Sequence, residues 1–489
     1  MVFPLQDFSS RVLILFAISF VSSFVLGADI EGVETCPPSD RFRKPFFFVV
    51  AADPQIGWNR EGYNSEELFR LASEKILDLE NPPEFVVVPG DLIQNPGNSE
   101  EYETTRSILD EMNVPYYVVA GNHDVGNVPT LERLDEFVDW WDLGEKGLWY
   151  TIEAGNSLIV MLDSNVLRNR DNPEAPKIVA DLADEELDWL HEIMTAASNK
   201  YDHVLPFLHH PLAIQNLDEE NRNENLPKTI RSELAGIFSN SGLEEYVFSG
   251  HFHKNARVVQ EESSLEYVTY ASTGVILGRE PRDPSGLAVI QIFEERVEEN
   301  YYGYEDFPTL VEADDAGFTV TNPVDGDVLE AGSVYCITWT SKSMAAHVSI
   351  EYSLGGGDWT EIISKTPNDG AHAWVVPDEP SDSVTVRVMV AYQNVVISGE
   401  IEGEFSIVTE QTPSITTIPS IQPIQRITNA PSIQPVERIT NAPSIDPMQQ
   451  PTGQPTAVSA ATWLRRYHFV LLNAVCSLLL VISNVAPLM

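Results

Sequence analysis

An α/β domain, a small all-β domain and a proline-rich stalk, in that order, are what this 489-residue chain predicts. Three observations carry that reading. From Phe46 to Tyr304, short β-branched runs alternate with segments of helical period. From Phe318 to Val408 the helical period vanishes and turn residues recur at short intervals. Beyond Thr409 a proline-containing motif repeats in tandem.

In the first region, Phe46 to Ala51, Phe85 to Val88, Tyr116 to Ala120, Val204 to Leu208 and Tyr246 to Phe248 are compact apolar runs suited to buried strands. Two amphipathic segments lie between them. Leu68, Leu71, Ala72, Ile76 and Leu79 share a face in Ser65 to Leu79, with Ser65 as N-cap, and Leu187, Leu190, Ile193 and Met194 do so in Asp184 to Ala197. Trp149 to Ile152 and Leu158 to Leu162 predict a hairpin, and Glu266 to Ser272 with Leu287 to Phe293 a second one. In the second region the turns Pro323-Val-Asp-Gly326, Gly355-Gly-Gly357, Asn368-Asp-Gly370 and Pro377-Asp-Glu-Pro380 separate alternating runs, as in a β-sandwich.

The ends read as addresses. Arg11 before the apolar Val12 to Leu26 predicts a signal peptide over 1–27. Pro419 to Ala430 is almost repeated by Pro431 to Ala442, and the stretch 409–458 is expected to be an extended stalk. Small residues Ser459-Ala-Ala461, a polar spacer and the apolar Phe469 to Ala486 make 459–489 a lipid-anchor (GPI) signal, with a transmembrane segment as its rival. Membrane or cell-wall attachment at an extracellular surface follows. Cys476 belongs to that tail, so Cys36 and Cys336 either pair or stay as buried thiols. No Asn-x-Ser/Thr acceptor occurs.

Lys plus Arg is 29 and Asp plus Glu 74, a net charge of −45, which repels phosphate backbones and excludes nucleic acid as partner. The 43% hydrophobic content excludes global disorder.

The chemistry sits where strands run out. Asp53-Pro-Gln55, Gly90-Asp91, Gly121-Asn-His-Asp124, His209-His-Pro211 and Gly250-His-Phe-His253 each follow or close on an apolar run. Together they bring carboxylates, amides and imidazoles to one rim, the donor types that two adjacent divalent cations require. Asp53, Gln55, Asp91, Asn122, His209, His251 and His253 are the candidate ligands, with Asp91 the natural bridge and Gly90 allowing its sharp turn. His123 is the candidate acid for the leaving oxygen, with Asp124 to orient it. Taken singly, each has a bland counterpart: a helix-capping Asp, a core His, an ordinary turn.

In these ordered motifs the chain, over Phe46 to Tyr304, resembles the calcineurin-like metallophosphoesterase superfamily. The resemblance implies a metallophosphoesterase-type β-sandwich flanked by helices over 42–308, two divalent metal ions (Mn²⁺, Fe²⁺, Zn²⁺ or Mg²⁺) and phosphoester hydrolysis. It implies Asp53 and His253 on one ion, Asn122, His209 and His251 on the other, Asp91 between them and His123 beside the scissile ester. His209 rather than His210 is the implied ligand. Two positions depart from the common pattern. Gln55 stands where a His is usual, a form similar to a subgroup that includes cytosolic Ser/Thr phosphoprotein phosphatases. Gln94 stands where purple acid phosphatases carry Tyr, so no ferric phenolate is expected.

The region 318–408, through Pro323, Gly332, Ile337-Thr-Trp-Thr340, Trp359 to Ile363 and Trp374-Val-Val-Pro377, resembles the immunoglobulin-like domain of yeast cell-wall glucan-assembly proteins. The expectation is a metal-dependent phosphomonoesterase acting on a phosphorylated small molecule or protein. A phosphodiesterase on nucleotides or lipid head groups and a catalytically idle adhesion protein are the rivals. Arg168 to Ala180 and Asn216 to Pro227 are the loops expected to shape the substrate pocket.

Overall fold

A computed structural model describes Cys36 and residues 43–60, 63–144, 147–197, 200–220, 224–240, 246–260, 265–274 and 283–409. The expected signal peptide and lipid-anchor segment, and all of the expected stalk but Thr409, lie outside these residues.

Among the described residues two mixed sheets form the first region. One runs in the order Val297–Gly303, Gly286–Ile292, Phe46–Val50, Val86–Val88, Tyr116–Val118. The other runs Ala256–Val259, Glu266–Thr269, Tyr246–Ser249, His203–Phe207, Ser157–Met161, Tyr150–Ala154. Phe46–Val50 is buried at every position, as an apolar run covered on both faces should be. Phe48 of the first sheet meets Phe207 of the second with ring centroids 6.0 Å apart, and Phe207 stacks on Phe248 at 4.8 Å. The region is thus an α/β sandwich whose core lies between the sheets.

The strands that matter for the site run parallel. Phe46–Val50 pairs in parallel with Val86–Val88, and that with Tyr116–Val118. In the other sheet Ser157–Met161, His203–Phe207 and Tyr246–Ser249 are likewise parallel neighbours. Parallel strands deliver all their C-terminal ends to one rim, where the side chains that follow them converge.

The helices partly match expectation. Ser65–Leu77 is helical, but its N-cap is Asn64, whose side chain accepts from the Glu66 and Glu67 amides; Ser65 is the first helical residue. Its buried face is Phe69, Ala72, Ser73 and Ile76, with Leu68 and Leu71 half-buried at its edge. The second predicted helix starts earlier, at Lys177 just after Pro176, and runs to Ala197 with Val179 and Ala183 continuing its buried stripe. Ser99–Glu111, Leu131–Trp140 and Lys228–Asn240 are helices without a strong sequence signal.

The first predicted hairpin forms, between Tyr150–Ala154 and Ser157–Met161. The second does not. Glu266–Thr269 pairs with Tyr246–Ser249 in one sheet, whereas Gly286–Ile292 pairs with Phe46–Val50 in the other. The chain after Thr269 crosses between sheets instead. The Thr273 amide and hydroxyl donate to the Ala52 carbonyl (2.7 and 2.8 Å), and the Ser272 hydroxyl to the Asp53 carbonyl (2.6 Å), so this crossing buttresses the first site loop.

Residues 318–408 are β-rich, with Phe318–Asn322, Val334–Ser341 and Ala371–Val375 in one sheet and six strands from Val328–Glu330 to Phe405–Val408 in another. Trp339, Ile350, Val384, Val386 and Val388 fill a core of their own. Among the described residues, several links join it to the α/β region, among them one covalent bond and short polar contacts. Cys36 and Cys336 are disulfide-bonded, which resolves their open pairing. The Glu312 carboxylate accepts from the Ser343 hydroxyl, the Met344 amide and the Tyr392 hydroxyl (2.7, 2.7 and 3.0 Å), and the Gln393 amide donates to Glu80 at 2.6 Å.

Candidate metal centre

The loops that close the parallel strands are strained in a shared way. Asp53, Gln55, Asp91, His251 and His253 all have φ between 47° and 66°, the left-handed region that non-glycine residues seldom occupy. Only two further non-glycine residues, Asn113 and Asp142, do so among those described. Strain of this kind persists where surrounding contacts over-determine it, and it clusters at functional sites. Glycine provides the close approaches: a Cβ at Gly121 would lie 2.2 Å from the Asp91 amide, and one at Gly250 2.4 Å from Asp53 Oδ2.

Asp53 accepts the His251 amide at both carboxylate oxygens, 2.9 and 3.1 Å, which ties the first loop to the last. His253 Nε2 is 3.6 Å from Asp53 Oδ1 and its ring is packed edge-on against Trp58. Asp91 accepts the His123 amide at Oδ1. His209 Nδ1 donates to the Pro89 carbonyl at 2.9 Å, so Nε2 presents a lone pair. That lone pair is 3.3 Å from Asp91 Oδ2, 3.2 Å from Asn122 Oδ1 and 3.0 Å from His251 Nδ1. Four groups that can each offer a lone pair converge within hydrogen-bonding distances around the fully buried His209. Burial opposes charge on His209, but Asp91 and then Asp53 outweigh it and hold the imidazole up to about 9, so that a cation at Nε2 would have to displace a proton to reach the lone pair.

This donor set fits divalent cations. The ligating atoms of Asp53, Asp91 and His253 lie within 4.8 Å of one another, as do those of His209, His210 and His251. Gln55 Oε1 is buried and accepts no hydrogen bond, the condition of an amide oxygen that a cation would satisfy. The structure therefore brings together all seven of the sequence-derived candidates.

It also redistributes roles nearby. The expectation that Asp124 orients His123 is corrected. Its carboxylate instead takes the amides of Leu92, Ile93 and Gly121 at 2.7–3.3 Å, holding the Asp91 loop against the Asn122 turn. His123 is oriented through Nδ1, which donates to the Gln94 carbonyl at 2.9 Å. The Gln94 amide in turn is held by the buried Glu101 carboxylate at 3.0 Å. His210, left aside at the sequence level, contacts Ser164 Oγ with Nδ1 and Arg168 with Nε2, both at 2.9 Å. Burial, then the His251 and His209 rings, keeps this imidazole well below its usual proton affinity. No sequence signal pointed to His210 or Ser272 as supports of the site, since their partners are distant in the chain; the sequence reading misses Glu101 as well, although its partner Gln94 is only seven residues away.

A cleft of about 990 Å³ opens over the centre, with His123, His251, His253 and Asp91 on its floor. Arg168, Asn172, Glu224 and Asn225, from the two loops expected to shape a substrate pocket, line its wall.

Residues 48–255 match the family Calcineurin-like phosphoesterase. The chain is 32% identical over 281 residues to the Rattus norvegicus serine/threonine-protein phosphatase CPPED1, an alignment covering 54% of this chain and 85% of that protein. The chain belongs to the calcineurin-like phosphoesterase family. The Homo sapiens CPPED1 is 31% identical over 285 residues, covering 54% and 86% of the two chains. A protein of Arcobacter nitrofigilis named "Probable glycerophosphodiester phosphodiesterase GpdQ" is 29% identical over 198 residues, covering 39% and 66%. This calcineurin-like phosphoesterase is a dimetal phosphoric ester hydrolase, and the acid–imidazole group and the all-imidazole group above are its candidate metal-binding sets.

Proposed function

We propose that the chain is a phosphomonoesterase whose substrates are phosphorylated proteins or small molecules. Its similarity to the serine/threonine-protein phosphatases named CPPED1 carries this reading, because the alignment runs over 85% of the rat protein. The rival is phosphodiester hydrolysis, the activity in the name of the Arcobacter nitrofigilis relative. Rates on a nitrophenyl phosphate monoester and on the corresponding diester, with phosphoserine peptides as a third arm, test it. A faster rate on the diester would reverse the assignment.

In this reading Asp53 and His253 would hold one ion, with Gln55 facing it, and Asn122, His209 and His251 would hold the other, with Asp91 as the carboxylate both would share. Bound there, two divalent cations supply positive charge to the phosphoryl oxygens and lower the pKa of an attacking water. Asp53 and Asp91 keep the carboxylate charge fixed, through the His251 and His123 amides. His123, with Nδ1–H on the Gln94 carbonyl, holds a proton at Nε2 for the leaving oxygen. Oxygen donors at Asp91, Asn122 and Gln55 favour Mn²⁺ or Mg²⁺ over softer ions.

The signal peptide, stalk and lipid-anchor readings of the sequence support a place at the extracellular surface, with 318–408 as an immunoglobulin-like spacer between enzyme and stalk. The Cys36–Cys336 disulfide is consistent with an oxidising compartment. Release of the protein from intact cells by a phosphatidylinositol-specific phospholipase tests the anchor. Retention after that treatment would favour the transmembrane alternative.

A further inference from the structure

Arg168 lies near the end of the Ser164–Asn169 helix, half-buried in the wall of the cleft. Among the described residues that line the cleft it is the one lysine or arginine; the Glu224 carboxylate on the same cleft acts on its charge from a distance, whereas its contact at hydrogen-bond length is with His210. A guanidinium can only donate, so His210 Nε2 must be the acceptor of the 2.9 Å contact between them. The imidazole's other nitrogen then carries the hydrogen and donates to Ser164 Oγ, which also accepts the His210 backbone amide at 2.9 Å. Both ring nitrogens of His210 are thereby engaged, although they lie among the atoms that could hold an ion. The His210 ring is 4.4 Å, centroid to centroid, from His251, one of the proposed ligands. A cation is therefore braced one imidazole away from the metal centre, against a neutral partner instead of an anionic one.

We propose that Arg168 binds the phosphoryl group of the substrate, and that Ser164 and His210 are the positioning residues that hold its guanidinium at the cleft wall. The planar fork matches two oxygens of a tetrahedral oxyanion, and a partly desolvated arginine whose hydrogen-bonded partner is a neutral ring gains from such a ligand. The proposal rests on the phosphoester-hydrolase reading of the same centre.

The experiment uses the full chain loaded with Mn²⁺ and inorganic phosphate as probe, with binding followed by calorimetry and metal content measured alongside. Arg168→Met should weaken phosphate binding by about 10–100-fold, the scale for a lost charge-assisted contact, with two ions retained. Arg168→Lys should fall between it and the parent. His210→Phe should weaken phosphate, and His210→Gln, whose Oε1 can accept in place of Nε2, should recover much of the loss. On an ester substrate the effect should fall on KM more than a purely structural defect would allow, at an unchanged melting temperature. A phosphate affinity for Arg168→Met within twofold of the parent, loss of its metal, or a metal-loaded parent that takes up no phosphate would each overturn the proposal. A parent that binds phosphate through Arg168 but hydrolyses no phosphoester would sustain it while overturning the hydrolase reading.

Discussion

The backbone amide of His123 donates to Asp91 Oδ1 at 2.8 Å while Asp91 Oδ2 lies 3.3 Å from His209 Nε2. One carboxylate oxygen is thus pinned by the loop after Tyr116–Val118 and the other faces the imidazoles that follow strands of the second sheet. Asp91→Ala should empty both ion positions, since no neighbouring side chain can replace a group shared between them. Metal analysis of purified protein checks it, and two ions per chain in the variant would remove Asp91 from the bridge.

His123→Ala should leave the ion content unchanged and lower kcat by roughly 10²–10⁴-fold, the usual contribution of a positioned acid. The Asp91 contact comes from the His123 backbone, which alanine keeps. A variant that loses metal would make His123 a ligand.

Asp124→Asn should destabilise the fold by about 1–3 kcal/mol, the cost of buried donors left without an acceptor. One of the two oxygens that now serve the Leu92, Ile93 and Gly121 amides becomes an NH₂ group facing amides. Denaturant titration gives the stability. If Asp124→Asn alters only the pH profile of turnover and leaves stability intact, the carboxylate acts on catalysis after all.

Gln55→His should tighten the first ion, because imidazole is the stronger donor to Mn²⁺, Fe²⁺ or Zn²⁺ and the amide oxygen here has no protein partner. The measurement is metal occupancy against chelator concentration. Coincident curves for the two proteins would place Gln55 outside the centre.

Asp163 and Glu186 form a buried carboxyl pair, with the Asp163 amide donating to Glu186 Oε1 at 2.7 Å and one oxygen of each lacking a partner. Burial, opposed by the Asn165 contacts, raises Asp163 to about 6; burial and then the Asp163 charge raise Glu186 well above its usual value. The folded chain therefore binds protons more tightly than the unfolded one. Stability from Asp163 is fully present below about pH 4 and is lost as pH rises through about 6. Glu186→Gln, which removes that carboxyl's own raised titration, should stabilise the protein at pH 7 and flatten the loss of stability with rising pH. Equal slopes in parent and variant between pH 4 and 7 would dissociate the pair from the pH dependence.

The sequence alone determined the features that depend on a few consecutive residues. The left-handed backbone of Asp53, Gln55 and Asp91 emerged only in the fold, but an apolar run ending in Asp-Pro-Gln or Gly-Asp reads as a buried strand followed by a sharp turn, because burial and the freedom of glycine act locally. That was enough to draw Asp53, Gln55, Asp91, Asn122, His209, His251 and His253 toward one rim, and to mark the change from helical to strand period after Tyr304. Tertiary structure decided everything that depends on partners far apart in the chain. Glu266–Thr269 and Gly286–Ile292 read as a hairpin, yet each pairs in a different sheet, the one beside Tyr246–Ser249 and the other beside Phe46–Val50. Asp124 looked like a companion for its neighbour His123, but amides 31 and 32 residues away claimed its oxygens. Arg168 and His210 carry no joint signal across their separation of 42 residues; only packing brought them to 2.9 Å. Strand ends can be read from local composition, whereas hydrogen-bond partners are chosen by the fold, since a buried polar group bonds to whatever the surrounding chain brings within reach.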